Sequence, residues 1–306
     1  MNDSHEDDVR SVRKAFETRL EQLLPDGENP GVVYAAMRES TLVPGKRLRP
    51  MMLMLAARDM GCSLEHHGLL DLACAIEMVH TASLVLDDMP CMDNAQLRRN
   101  QPTIHCQYGE SVAILAAVAL LSHAFGIISR SSSLSHEARC QAIGELSFAI
   151  GHLGLVQGQF LDLNEAHKTE NAAAILLTNE LKTSSLFNAT LQMAATVSNV
   201  SPDVRESLYG FAKDMGQAFQ LMDDLTDTMD IAGKDPNKDQ GKITLVTLLG
   251  ADRVYQQLRE HLRNADRHIV SACRQQSVTR QYMQVWFEKQ LALLDQHRPL
   301  LQTGGQ

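Results

Sequence analysis

Two clusters of aspartate close apolar, helix-patterned runs, and both are spaced for chemistry. The first, Asp87-Asp88-Met-Pro-Cys-Met-Asp93, ends the stretch HTASLVLDD and is followed by Arg98 and Arg99; the second, Asp223-Asp224-Leu-Thr-Asp227, ends FQLMDD. At about 100° per residue, a helix over 220–230 sets Asp223, Asp224 and Asp227 on one face, with Gln220 a turn earlier on the same side. Like charges on one face repel, modestly at a solvated surface and far more in a cleft, unless cations neutralise them. Hard oxygen donors with no nearby histidine or cysteine suit Mg²⁺, which keeps waters and takes one or two carboxylates plus substrate phosphates. In the first cluster, Asp93 would point away from Asp87 on a continuous helix. Pro90 disfavours helix at Met89 and predicts a loop that brings Asp93 back. Ile76, His80, Ser83, Leu84 and Asp87 share one stripe, with His80 two turns below the acids. Taken singly, the second cluster reads as a solvated, Asp-rich helix end and His80 as a core histidine with a backbone partner. Acids followed directly by Arg98 and Arg99 fit a phosphate clasped through metal on one side and directly on the other.

The other cations are placed compatibly. PGKRLRP sets Lys46, Arg47 and Arg49 between Pro44 and Pro50, a stiffened segment with a concentrated positive field in an acidic chain. A solvated loop is its ordinary alternative. Lys182 in ELKTSSLF and Lys234, Lys238 and Lys242 in GKDPNKDQGK add positive charge close to polar or acidic positions. The last stretch lacks the GxxxxGK[ST] order of a nucleotide-binding loop. Two acidic metal sites among several cation clusters imply one diphosphate ligand or two.

Helices must position these groups, because the pattern reads helix almost throughout. Segments such as SVRKAFETRLEQLL, LLDLACAIEMVHTASLVL and VRESLYGFAKDMGQAFQLM repeat apolar residues every three or four positions, and no alternating strand pattern appears. Breaks fall at LPDGENPG, VPGKRLRP, RSSSLSHE, SNVSPD and AGKDPNKDQGK, none long enough for a domain linker. The expectation is a single all-α domain over residues 1–306 with frayed ends. The chain is 44% hydrophobic and 21% charged, an ordinary soluble composition able to enclose a deep apolar cavity. Its net charge of −9 argues against nucleic-acid binding. The acidic N-terminus lacks a signal-peptide pattern, so the cytoplasm is expected. VAILAAVALLSHAFGII is slightly short for a membrane span and carries Ser122 and His123, which predicts a buried core helix. The six cysteines show no CxxC pairing, and most are expected in apolar helical surroundings as reduced thiols, with neither disulfides nor zinc.

Read together, the motifs GKRLRP, EMVHTASL, DDMPCMD, LRRNQPTIH, GQFLDL, LKTSSLF and GQAFQLMDDLTD, in this order from Gly45 to Leu249, resemble the trans-isoprenyl diphosphate synthases. Within that family the likeness is to bacterial geranylgeranyl diphosphate synthases of carotenoid pathways. The resemblance implies an isoprenoid-synthase helical bundle around a deep central cavity, acting as a homodimer. It implies that Asp87, Asp93 and Asp223, supported by Asp88 and Asp227, hold Mg²⁺, three ions per active site, against an allylic diphosphate. Arg98 and Lys242 would also hold that diphosphate. Lys46, Arg49, His80 and Arg99 would bind isopentenyl diphosphate, while Lys182, Thr183 and Gln220 line the reacting centre. A class I terpene cyclase would share an aspartate-rich helix but has no use for the isopentenyl site.

Small side chains at Ala82 and Ser83, one turn above the first aspartates, are expected to let the growing tail descend by a helical turn, about 5.4 Å. In similar fifteen-carbon enzymes an aromatic typically stands at the position of Ala82. Its absence resembles twenty-carbon synthases, with a fifteen-carbon or other chain length as the alternative. Departures from the family pattern include Ala95, Gln96 and Asn100 near the first motif, Val118 where an Asp is common, and Leu245-Val246 where Tyr-Pro is usual.

Overall fold

The computed structural model describes residues 3–24, 31–64, 66–165, 171–228 and 243–301. Its helices are α1 (Asp3–Leu23), α2 (Val32–Leu42), α3 (Leu48–Asp59), α4 (His67–Asp87), α5 (Ile104–Tyr108), α6 (Glu110–Arg130) and α7 (His136–Ile150). Then follow α8 (Leu155–Asn164), α9 (Ala172–Asn179), α10 (Ser185–Val197), α11 (Pro202–Thr228), α12 (Leu245–Leu249), α13 (Ala251–Cys273) and α14 (Val278–Leu301). Between α9 and α10 the chain widens into a π turn, Glu180–Ser184.

Helices that are apolar all round occupy the centre, as the loss of any polar face requires. Met51 through Ala57 of α3 have no exposed surface, and α4 buries Leu69, Leu72 to Ile76, Met78 and Val79. Helices with one apolar stripe lie outside: α13 buries Val254, Leu258, Ala265, Ile269 and Cys273 and turns its charges to water. α4 runs along α6, α11 along α13, and α10 touches α3, α7 and α11. The breaks expected at RSSSLSHE and SNVSPD separate α6 from α7 and α10 from α11. Ser135 caps α7 by accepting a bond from the Ala138 N–H at 3.1 Å. At the far end, Asp59 closes α3 and caps α14: its carboxylate accepts from the Val278 and Thr279 N–H groups at 3.0 and 2.8 Å. The open end of one helix is thereby satisfied by the last residue of another.

Three local expectations need correction. A two-stranded ribbon, β1 (Leu97–Arg98) with β2 (Gln101–Pro102), interrupts the all-α pattern. It forms because Arg99 and Asn100 both adopt positive φ, 53° and 62°, the geometry of a tight hairpin turn whose twist matches its strands. α6 is only partly a core helix: Ile114, Leu115 and Val118 are 45%, 55% and 53% exposed. Cys91, Cys106 and Cys140 are also exposed, so only part of the cysteine set sits in the core. The deep central cavity remains an implication of the resemblance; a cavity of about 650 Å³ lies elsewhere, between α11, α13 and α14, lined by Phe211, Met215, Leu262 and Met283.

Candidate active site

α4 delivers the first aspartate cluster at its C-terminal end. Asp87 is its last helical residue, and the chain then folds back: Asp93 N–H bonds the Asp87 carbonyl at 2.9 Å, Asn94 N–H that of Met89 at 3.0 Å, and Ala95 N–H that of Asp88 at 3.2 Å. The loop that Pro90 predicted therefore returns Asp93 to Asp87. Asp88 faces a different partner. It is 4% exposed, and its two oxygens accept from Arg98 Nε and Nη2 at 2.7 and 2.6 Å. This fork-on-fork pair orients the Arg98 guanidinium. Burial alone would lower the Arg98 pKa, but the bonds to Asp88 together with the negative charges of Asp88, Asp87 and Asp93 raise it.

α8 and the π turn meet this cluster from the other side. Gln159 Nε2 donates to Asp87 Oδ1 at 2.5 Å, and Asp162, one turn on, holds Lys182 Nζ at 2.7 Å, leaving that ammonium 3.8 Å from Asp87. The two elements can approach because residue 158 is glycine: a Cβ there would stand 2.3 Å from the Lys182 nitrogen. A π turn displaces side chains from α-helical register and is common at functional sites; here it presents Lys182 and Thr183. Thr183 Oγ1 donates to Gln220 Oε1 at 3.3 Å, and Gln220 Nε2 to Asp224 Oδ1 at 3.0 Å. A polar chain thus runs from Asp87 through Lys182, Thr183 and Gln220 to the second cluster, where α11 carries Asp223, Asp224 and Asp227 in its last turns.

The basic segment divides in two. Arg47 turns inward: with positive φ it is 5% exposed, pairs with buried Glu77, and donates to the Thr41 and Val43 carbonyls at 2.8 Å each. Lys46 is exposed and Arg49 half-buried. Arg49 Nη1 lies 3.4 Å from His80 Nε2, and its guanidinium stands 4.3 Å above the Phe187 ring. Burial lowers the Arg49 pKa to about 10, so it stays charged at neutral pH. Burial and then the Arg49 charge hold His80 well below its usual range, so its imidazole is neutral. Arg99 packs its guanidinium over Gly45 and donates to the Val43 carbonyl at 3.3 Å. Adjacent arginines of one hairpin therefore serve opposite sides: Arg98 goes to the aspartates, Arg99 to the Lys46 loop.

Ala82 is packed in the core with no exposed surface, while Ser83 is half-buried and donates to the His80 carbonyl. Lys234, Lys238 and Lys242 lie outside the described residues. Reasoning from the sequence did not assign Gln159, Asp162 or Glu77, and it placed Asp224 on the acidic face without giving it a partner. The i, i+3 spacing of Gln159 and Asp162 in GQFLDL was the available signal for the first two.

The donor set suits Mg²⁺. Both clusters offer carboxylate oxygens, and among the described residues no three acidic, His or Cys side chains form a ready-made chelate. A hard cation that keeps its waters and is completed by substrate phosphate needs no such chelate.

Comparison with known proteins agrees with this geometry. Residues 30–279 match the family model described as polyprenyl synthetase. A geranylgeranyl diphosphate synthase of Pantoea ananas is 58% identical over 277 residues, covering 90% of this chain and 92% of that protein. One of Pseudescherichia vulneris is 54% identical over 285 residues, covering 93% of each. Among solved structures, a geranyltransferase from Helicobacter pylori complexed with magnesium and isoprenyl diphosphate aligns with a TM-score of 0.84 at 27% identity, over 95% of this chain and 99% of that one.

Proposed function

The chain belongs to the polyprenyl synthetase family, and from that premise we propose that it is a geranylgeranyl diphosphate synthase, condensing isopentenyl diphosphate with an allylic diphosphate to a twenty-carbon product. The observation that carries the two-substrate reading is the split of Arg98 and Arg99. One guanidinium is aimed by Asp88 beside the metal-type aspartates, the other lies on the loop that bears Lys46. One diphosphate then docks on each side of the hairpin.

On the allylic side, Asp87, Asp93 and Asp223 would hold Mg²⁺, three ions per site, with Asp88 and Asp227 supporting. The ions would supply the positive charge that makes diphosphate a good leaving group. Arg98 and Lys182 bind the same phosphates; the family resemblance adds Lys242, which lies outside the described residues. The allylic C–O bond breaks, its electron pair leaves with diphosphate, and the carbocation lies among Lys182, Thr183 and Gln220. Lys46, Arg49, neutral His80 and Arg99 hold isopentenyl diphosphate so that its double bond attacks the cation. A proton then leaves to the departed diphosphate, giving the longer allylic product. Apolar α4 walls the tail and excludes water that would quench the cation. Ala82 and Ser83 leave room for a long tail.

We further propose that the enzyme works in the cytoplasm as a homodimer, joined through α6, α7 and α8. Ile114, Leu115, Val118, Phe148, Val156 and Phe160 expose 45–59% of their surface there. Apolar exposure of that extent marks an interaction face.

The test is chromatography of the dephosphorylated products after incubation with Mg²⁺, isopentenyl diphosphate and each allylic starter in turn. A twenty-carbon alcohol is expected; a fifteen-carbon product keeps the chemistry and overturns the chain length. Asp87→Ala and Asp223→Ala should each lose activity at least 100-fold, an order-of-magnitude figure for removing charge stabilisation at a reacting centre, while circular dichroism stays native. Near-normal turnover in either would refute the metal-site reading.

A further inference from the structure

We propose that Trp286, on the C-terminal helix α14, is a positioning residue for isopentenyl diphosphate, acting through Lys46. The proposal rests on the substrate reading above and names a residue outside every motif that led to it.

Lys46 Nζ lies 5.1 Å from the Trp286 ring centroid and 5.3 Å from that of Phe219. The two rings stack, with centroids 5.6 Å apart and planes within 12°. Phe219 in turn meets Phe187 at 6.1 Å, and Phe187 carries the Arg49 guanidinium. An aromatic row, Trp286–Phe219–Phe187, therefore underlies Lys46 and Arg49, two of the three cations of the GKRLRP segment. Phe219 also lies one turn before Asp223 on α11, so the row joins the isopentenyl side to the second aspartate cluster.

Trp286 is itself held. Buried Phe287 packs edge-on against it at 4.7 Å and 88°. Two turns earlier, Asp59 caps the start of α14. Helix α3 is thus tied to α14 at both ends, by Asp59 at its C-terminus and through Lys46 just before its N-terminus. An ammonium on a flexible four-carbon stem loses much rotamer freedom when it binds phosphate. Resting it on two fixed aromatic faces removes part of that loss beforehand, through cation–π attraction that the rings supply without neutralising the charge.

Trp286→Leu keeps apolar bulk but deletes the π face, and Trp286→Phe keeps a face for Lys46. Steady-state kinetics should show Trp286→Leu raising KM for isopentenyl diphosphate about three- to tenfold, the scale of one or two lost cation–π contacts. KM for the allylic substrate and kcat should stay within about twofold, and Trp286→Phe should recover most of the effect. A purely structural role would instead lower kcat and thermal stability together and leave the two KM values alike; that pattern would overturn the proposal. Because Trp286 is the single tryptophan in the chain, its emission supplies an independent readout. Titration of the wild type with inorganic pyrophosphate, without Mg²⁺, should change the emission saturably, and Lys46→Gln should abolish the change. An unresponsive wild type, or an undiminished response in Lys46→Gln, would overturn the coupling. If the wild type consumes no isopentenyl diphosphate at all, the substrate reading fails, and the pyrophosphate titration alone decides the Lys46–Trp286 coupling.

Discussion

At the scale of single residues, charge in the sequence and charge at the site are different things. Arg47 and Arg49 are two positions apart with the same side chain, yet Arg47 is consumed by the core and Arg49 is not. Its partner Glu77 is 2% exposed, so the pair is a buried one whose cost of desolvation is met only while both members are present. Glu77→Ala leaves a buried guanidinium uncompensated and should destabilise the fold by about 3–5 kcal/mol in urea unfolding. Replacing the pair together, Arg47→Met with Glu77→Leu, should recover most of that loss. Equal destabilisation by the double variant would mean that the bonds from Arg47 to the Thr41 and Val43 carbonyls, and not the ion pair, hold the loop. The aspartates were legible because their meaning is local: Asp87, Asp88 and Asp93 are related by one helix end and one proline, and the structure needs only a few backbone bonds to assemble them.

At the scale of elements, the site depends on how closely α8 approaches the π turn at Lys182. That approach joins residues 72 positions apart, Gln159 and Asp87, and no spacing rule reaches so far. Gly158→Ala sets a Cβ against the Lys182 backbone, which cannot move aside like a side-chain tip. It should cost about 1–3 kcal/mol of stability, the scale of overpacking, and lower kcat by loosening both Gln159 on Asp87 and Asp162 on Lys182. Gly144→Ala is the control: nothing lies within 4 Å of its added Cβ in mid-helix, so a gain of about 0.5–1 kcal/mol is expected. Thermal unfolding and initial rates of both variants check the pair. Helix existence was readable because the outer helices bury a stripe that their own sequences declare and the central ones, α3 and α4, are long apolar runs buried all round. The β1–β2 hairpin was not, since two residues per strand carry no pattern and positive φ at Arg99 and Asn100 is a backbone choice.

At the scale of the molecule, α6 to α8 expose six large apolar side chains by 45–59% each, Ile114, Leu115, Val118, Phe148, Val156 and Phe160, the kind of exposure that marks an interaction face. A second copy of the same chain satisfies it if the protein is a dimer. Val118→Glu and Phe148→Glu, at positions 53% and 59% exposed, should each halve the mass seen by light scattering without unfolding the protomer. A wild type that is monomeric but sediments with lipid vesicles would assign that face to a membrane surface instead.

What the sequence determined by itself was the helical architecture and the chemistry of the reacting end, because periodicity, proline breaks and aspartate spacing act within a few turns of one helix. What only the tertiary structure decided was which of several identical cations is taken into the core, as Arg47 is by Glu77, and that a tryptophan near the C-terminus lies beneath Lys46. Those outcomes depend on packing between helices remote in the chain, where burial and the close approach permitted by a glycine select one partner among many of the same type.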